Sequence, residues 1–290
     1  MHGLPPAAVE RLARAKRSGV RTSLLSAASA AGIEAVGLEP IGEVMGCVVQ
    51  TPAVRHPTFP WQRRPTWRQR RRSYDCFSQP YLAALRTGYN TAMRRLRQEA
   101  RALRADGVVD VRLVRTERGR VDEYVAMGTA VRARSRARPR SVFTTDLSGG
   151  DVAKLMLGGW MPVQLVWAGA ARSRNKRFDP QLDPRYRRRS FFLRNTEMRL
   201  YSDMVNSARA GARRRFQELI GVERADTGLV SEMSLSIWEP ADQVVAAIAT
   251  VQGTVIARFR SPGSAPARTL TVIPLSRGQS AGSRCPNAGQ

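Results

Sequence analysis

Metal ligation and nucleophilic catalysis are the first chemistries to weigh, and the chain supplies little for either. Its cysteines are Cys47, Cys76 and Cys285, and its histidines His2 and His56. Thiolate and imidazole are the ligands that soft or borderline metals prefer. The only set close together in sequence is Cys47, His56 and Cys76. It has no Cys-x-x-Cys spacing and falls short of the four ligands of a structural zinc site. A soft or borderline metal on these three residues is the one cofactor to consider; free cysteines serving as small buried hydrophobes are the simpler reading. For nucleophilic catalysis, His2 is terminal and His56 sits in a proline-rich stretch, so a Ser/His or Cys/His pair lacks a placed base. No phosphate loop with Gly-Lys-Ser/Thr is present, and no GxGxxG follows a strand. Among the carboxylates, Asp106 stands before Gly107 as a turn residue does, and Glu99 reads as the partner of a neighbouring arginine on a helix. The expectation is a protein that is not an enzyme. Three scattered cysteines, with no signal-peptide core ahead of them, point to reduced thiols and a cytoplasmic location.

Arginine is the other chemical resource. Lys and Arg number 48 against 23 Asp and Glu, a formal net charge of +25, and lysine appears only at Lys16, Lys154 and Lys176. A surplus of this sign attracts polyanions. Much of it falls in two stretches, 50–80 and 172–192, where prolines interrupt regular structure and aromatics are interleaved. Arg63, Arg64, Trp67, Arg68, Arg70, Arg71 and Arg72 in the first, with Arg187, Arg188 and Arg189 in the second, are the candidate polyanion contacts. Arginines would meet phosphates and aromatic rings would stack on bases. The simpler reading is a pair of loosely docked loops, because this composition lacks the apolar content to order itself.

The elements that would position these residues come in two similar sets. In the first, Leu85, Tyr89, Ala92, Leu96, Ala100 and Leu103 recur at steps of three and four, which predicts a helix over about 81–104 with one buried stripe. An Ala-Asp-Gly turn follows. Then Val109, Val111 and Leu113 alternate with Asp110 and Arg112, as a strand does, and a hairpin partner covers about 123–131. In the second set, Tyr201, Met204, Ala208, Ala212, Phe216 and Leu219 form the stripe of a helix around Met204–Leu219. Met233, Leu235 and Ile237 alternate with serines, and Val244–Ala257 supplies the partner strand.

The segments before these sets also match. Ser26 caps a helix over about 27–36, Gly37 stops it, and Pro40 leads into a strand at 41–49. Gly42 and Gly46 in that strand suggest close approach of a neighbouring backbone. Slid onto 143–171, Thr22 meets Thr144, Leu25 meets Leu147, Ser26 meets Ser148, Gly37 meets Gly159 and Pro40 meets Pro162. Repetition at this length indicates two copies of a domain. The expected organisation is an N-terminal helix at 1–20, a first domain at 21–135, a basic linker at 136–142, a second domain at 143–260 and a disordered tail at 261–290. In the tail only Leu270–Leu275 could add an edge strand. No apolar run approaches the roughly 20 residues of a membrane span.

GLEPIGEVMG at 37–46, AMRRLRQEARALRADGVVDVRL at 92–113 and AMGTAV at 126–131 together resemble the YbjQ-like family, whose members carry a heavy-metal-binding label. Weaker echoes stand at 159–166, 212–219 and 253–256, so the likeness is to the tandem form. The resemblance implies an α+β fold, YbjQ-like or dodecin-like, in which each copy packs an antiparallel sheet on one long amphipathic helix. It also implies association into rings, hence a homo-oligomer. Two functional readings stay open: a self-associating binding or scaffold protein, with metal binding implied only by the family label, and a basic module that holds nucleic acid or another polyanion.

Overall fold

Two long helices and two antiparallel sheets alternate in this computed structural model, which describes residues 4–18, 22–51, 75–119, 121–135, 138–139, 141–176, 197–241 and 244–259. In chain order the elements are α1 (Pro6–Ser18), α2 (Ala27–Ala35), β1 (Leu38–Gln50), α3 (Asp75–Ala102), β2 (Gly107–Arg118), β3 (Val121–Ala133), β4 (Phe143–Thr144), α4 (Gly149–Leu157), β5 (Trp160–Asn175), α5 (Arg199–Val222), β6 (Thr227–Ala241) and β7 (Val244–Arg258). The first sheet has the order β1-β3-β2-β4 and the second β5-β7-β6. All pairings are antiparallel except β2 with β4. The fold is α+β, as expected.

Helix α3 lies between the sheets. Its stripe of Leu85, Ala92, Leu96 and Ala100 is buried together with Val44 and Ala126 of the first sheet and Leu165, Ala171 and Ile248 of the second. The opposite face of the second sheet, carrying Val166, Ala168 and Ala170, packs on Met204, Ala208, Ala212 and Phe216 of α5. Because neighbouring strand residues point to opposite faces, β5 serves one helix with Leu165 and the other with Val166. Gly46 is where α3 presses closest: a Cβ there would fall 1.9 Å from the Ala92 carbonyl oxygen and 2.5 Å from the Leu96 nitrogen. The close approach expected at Gly46 is therefore present, and it is helix backbone that approaches.

The two halves agree down to single hydrogen bonds. Ser26 Oγ accepts from Ser29 N–H and Ser148 Oγ from Asp151 N–H, both at 3.2 Å. Gly37 and Gly159 have φ of 79° and 82°, a region where a side chain is strained. Asp106 accepts from Ala133 N–H and Asp226 from Arg258 N–H, at 2.8 and 2.7 Å. Each carboxylate ties the turn after a long helix to the far end of the hairpin.

Three expectations need correction. The first long helix starts at Asp75, not near 81, and holds Pro80 within it. Contacts with β5 secure those early turns: Ser173 Oγ donates to the buried Ser78 Oγ at 2.8 Å, and Gln79 Nε2 reaches the Ala171 carbonyl at 3.5 Å. Residues 172–175, expected in a loop, belong to β5, because β7 pairs with them as far as Asn175 opposite Val244. Val109, Val111 and Leu113, expected on one face, are split by a register shift: Val109 is buried with Phe143 and Ile33, whereas Val111 and Leu113 pack with α3; in β6, Met233 and Ile237 are exposed.

Candidate functional site

Cys47 is the one member of the expected metal set whose side chain can be placed. It sits on β1 with its Sγ donating to Glu123 Oε1 at 3.7 Å. Burial, then the charge and hydrogen bond of Glu123, push the thiol pKa up, against a smaller opposing pull from Arg95. This environment favours the thiol over the thiolate that a metal needs. His56 lies outside the described residues, and of Cys76 only its place in the first turn of α3 is described. Among the described residues no group of three or more His, Cys, Asp and Glu side chains converges as a metal site would. The arginines expected to touch a polyanion, Arg63 to Arg72 and Arg187 to Arg189, with Trp67, also lie outside the described residues.

Beside Cys47, the outer edge of β1 is closed by side chains. Glu99 of α3 accepts from Met45 N–H at 2.9 Å. Arg11 of α1 donates to the Met45 carbonyl at 3.3 Å and pairs with the Glu99 carboxylate, and Arg95 donates to the Cys47 carbonyl. Glu99 thus pairs with a residue 88 positions away, rather than with an arginine on its own helix. Burial pushes its pKa up, while Met45 N–H and Arg11 pull it down.

An aromatic seam joins α3 to both sheets. The Tyr81 ring meets Trp238 edge-on at 5.3 Å, and Tyr89 lies 5.1 Å from both Tyr124 and Trp167. Arg115 donates to Tyr81 Oη and to Asp122 Oδ2, both at 3.0 Å. Burial would depress its pKa, but the Asp122 hydrogen bond and nearby negative or acidic groups raise it overall, so the cation stays fixed. Tyr124 is pushed up to about 12, with burial the leading cause. Along the same helix a cleft of about 450 Å³ opens between α3, β5 and the end of α5, with Arg86, Arg94, Arg97 and Arg215 on its walls. Arg97 donates to Gln164 Oε1 at 2.8 Å, and Gln164 Nε2 donates to Glu223 at 3.0 Å. That relay engages Arg97 internally, and Arg215 is paired with Glu218 at 2.7 Å.

The most complete construction is the junction of the halves. Residues 143–147 open the second half, yet their backbone joins the sheet of the first. Phe143 N–H donates to Asp106 O at 3.1 Å and Thr145 N–H to Val108 O at 3.0 Å. In return Val111 N–H donates to Thr145 O at 2.9 Å and Asp110 N–H to Leu147 O at 3.0 Å. Their side chains, meanwhile, hold the second half. Thr145 Oγ1 lies 2.8 Å from Thr254 Oγ1, which donates to Asp146 Oδ1 at 2.6 Å, and Leu165 N–H donates to Thr144 Oγ1 at 3.0 Å. The Phe143 ring lies where a side chain on Gly107 would be, and α2 crosses α4 with Gly32 close against Gly150. Phe143, Ile33, Val109, Val131 and Val152 form a third core here. No pattern in residues 141–148 announced this segment, since a two-residue parallel strand has no periodicity. The signal available was its match to 22–26, which the chain repeats.

Residues 75–134, covering α3, β2 and β3, match the family model YbjQ_1, described as "Putative heavy-metal-binding". Over 171 residues the chain is 36% identical to the encapsulin nanocompartment protein Rv1762c of Mycobacterium tuberculosis, covering 56% of this chain and 60% of that one. The chain thus matches about 60% of that relative's length. No helix among the described residues is long and apolar enough to cross a membrane.

Proposed function

We propose that this member of the YbjQ-like family is a self-associating scaffold protein without catalytic activity. In this reading its two halves are copies of one domain, and the copies associate within the chain as chains associate with each other. The observation that carries it is the junction at residues 143–147, where one half completes the sheet of the other by strand addition. Main-chain hydrogen bonds across a sheet edge supply affinity, and the side chains beside them supply register. The relative's name is that of a nanocompartment protein, and an assembly role is carried over from it as part of this proposal. A cytoplasmic setting suits the reduced thiols expected above.

Light-scattering mass on a sizing column, with nuclease-treated protein at low and high salt, tests the reading. A mass well above the 32.1 kDa chain at both salts supports it; a single-chain mass at both removes it. The second reading, polyanion binding, is favoured by the four arginines around one cleft with Tyr89 and Trp167. It predicts nucleic acid retained at low salt and released steeply as salt rises.

A further inference from the structure

The segment that bridges the halves has a counterpart ahead of the first half. Leu24 N–H donates to Thr129 Oγ1 at 3.0 Å, with Ser23 Oγ 3.5 Å from the same oxygen. These are the bonds that Asp146 N–H (3.3 Å) and Thr145 Oγ1 (2.8 Å) make to Thr254. Thr22–Leu25 is therefore anchored on its own half in the way residues 144–147 are anchored on theirs. The difference is on the outward side. Thr144 and Thr145 are fully buried because β2 lies beside them, whereas Thr22 and Ser23 are exposed.

The edge that would receive such a segment is also present twice. Asp226 N–H donates to Ile256 O at 3.0 Å, as Asp106 N–H donates to Val131 O at 2.9 Å, which aligns β6 with β2. Both strands shift register in the same region: β2 leaves Asp110 and Val111 out of register between Val109 and Arg112, and β6 leaves Ser231 out between Val230 and Glu232, with Val230 opposite Gly253. In β2 the bulge residues Asp110 and Val111 turn their N–H groups outward to Leu147 and Thr145. Among the described residues nothing pairs with the outer side of β6, which ends its sheet. Leu229 is 39% exposed where its counterpart Val109 is 0%, and Val230 is 51% exposed. A long open edge carrying apolar side chains is a template for pairing with another chain.

We infer that Thr22–Leu25 of a second copy of this chain adds in parallel to β6 at Gly228–Ser231, repeating between molecules the junction found within one. The register follows from the internal one: Ser23 N–H of the second copy donates to Gly228 O, Val230 N–H to its Leu25 O, and Ser231 N–H to its Ser23 O. Each chain then carries one donor segment and one acceptor edge. The contact is heterologous, so chains join head to tail and the assembly closes as a ring or grows as a filament. The helices do not take part equally. Where α2 meets α4 with Ser29 and Gly32, the matching positions of α4 are Asp151 and Lys154, which are exposed and paired with each other. Strand addition carries the contact.

This inference rests on the self-association reading, and the experiment separates the two. Ser23→Pro removes the donor segment's N–H. Val230→Pro removes the N–H that would donate to Leu25 O of the second copy, on an edge strand, where proline is tolerated, and Leu229→Lys serves as a second acceptor variant that leaves the backbone intact. Circular dichroism checks that each is folded, and light scattering gives the mass. The wild type is expected above one chain, and each variant at 32.1 kDa. An equal mixture of Ser23→Pro and Val230→Pro chains should give a two-chain species and nothing larger, because only one donor and one acceptor remain intact. Folded variants that keep the wild-type mass, or a mixture that stays single-chain, would overturn the inference while leaving self-association standing. A single-chain wild type would remove both. Hydrogen exchange addresses the other occupant: protection at Val230 and Ser231 that ignores protein concentration and disappears in Val272→Pro would place the chain's own tail on β6, against the inference.

Discussion

The β2 edge and the β6 edge are built from equivalent residues and end in opposite conditions. Beside β2, Phe143–Thr144 and the residues after it pair with the strand, and Val109 is fully buried. On the outer edge of β6 no described strand pairs, and Leu229 is 39% exposed. A third edge, that of β1, is closed without a strand at all, by Glu99, Arg11 and Arg95. The burial of an apolar residue at an edge is thus fixed by what the rest of the chain sets beside it. That β1 and β2 are both closed, by different means, makes the open β6 a feature to be explained. Natural sheets blunt their edges, and a flat apolar edge left bare serves pairing.

The comparison can be broken experimentally, starting where the largest effect is expected. Phe143→Ala empties the ring's place over Gly107 in the third core and should cost about 3 kcal/mol in urea unfolding. A cost below about 1 kcal/mol would mean that the β2 edge is not closed by this segment in solution. Glu99→Ala opens the β1 edge, leaving Met45 N–H without its acceptor, and should cost about 2 kcal/mol. Thr145→Val removes the hydroxyl that faces Thr254 in a buried site and should cost about 1 kcal/mol. The matching Ser23→Ala should cost markedly less by the same measurement, since Ser23 is exposed. Leu229→Ser should change single-chain stability by no more than about 0.5 kcal/mol, yet lower the assembled fraction at a given protein concentration.

The β1 edge also has a pH signature. Burial holds the Glu99 carboxyl above its usual range. A raised folded pKa means that the native state keeps the proton where the unfolded chain has lost it. The stability tied to this group is therefore complete below the ordinary glutamate pKa and is lost as pH rises through the folded value. Melting temperatures taken across that window should fall with rising pH in the wild type and fall less in Glu99→Gln. A parallel decline in both proteins would mean that Glu99 does not contribute.

Much of this architecture was legible in the sequence, and the limits are physical. The stripes of α3 and α5 were readable because burial at steps of three and four is a local property of a helix. The caps at Ser26 and Ser148 were readable because each answers a backbone need three residues on, whereas Asp106, read as a turn residue, holds the N–H of Ala133, 27 positions away. The start of α3 was not readable, because the turns before and around Pro80 are held by Ser173 and Ala171, far along the chain. Glu99 was assigned to the wrong arginine for the same reason. Alternation in Met233–Ile237 marked a strand correctly but could not say whether anything covers it. Of the expected site residues, Cys47 lies in surroundings that favour a protonated thiol, and His56 and the insertion arginines fall outside the described residues. The junction at 143–147 was visible only as a repeat, with no hint that its backbone serves the other half.

The mass of an equal mixture of Ser23→Pro and Val230→Pro chains tests the account most directly. Head-to-tail addition of Thr22–Leu25 to β6 predicts that two proteins which are each single chains alone form a two-chain species, twice 32.1 kDa, when combined. A mixture that remains single-chain, with both proteins folded, would contradict it.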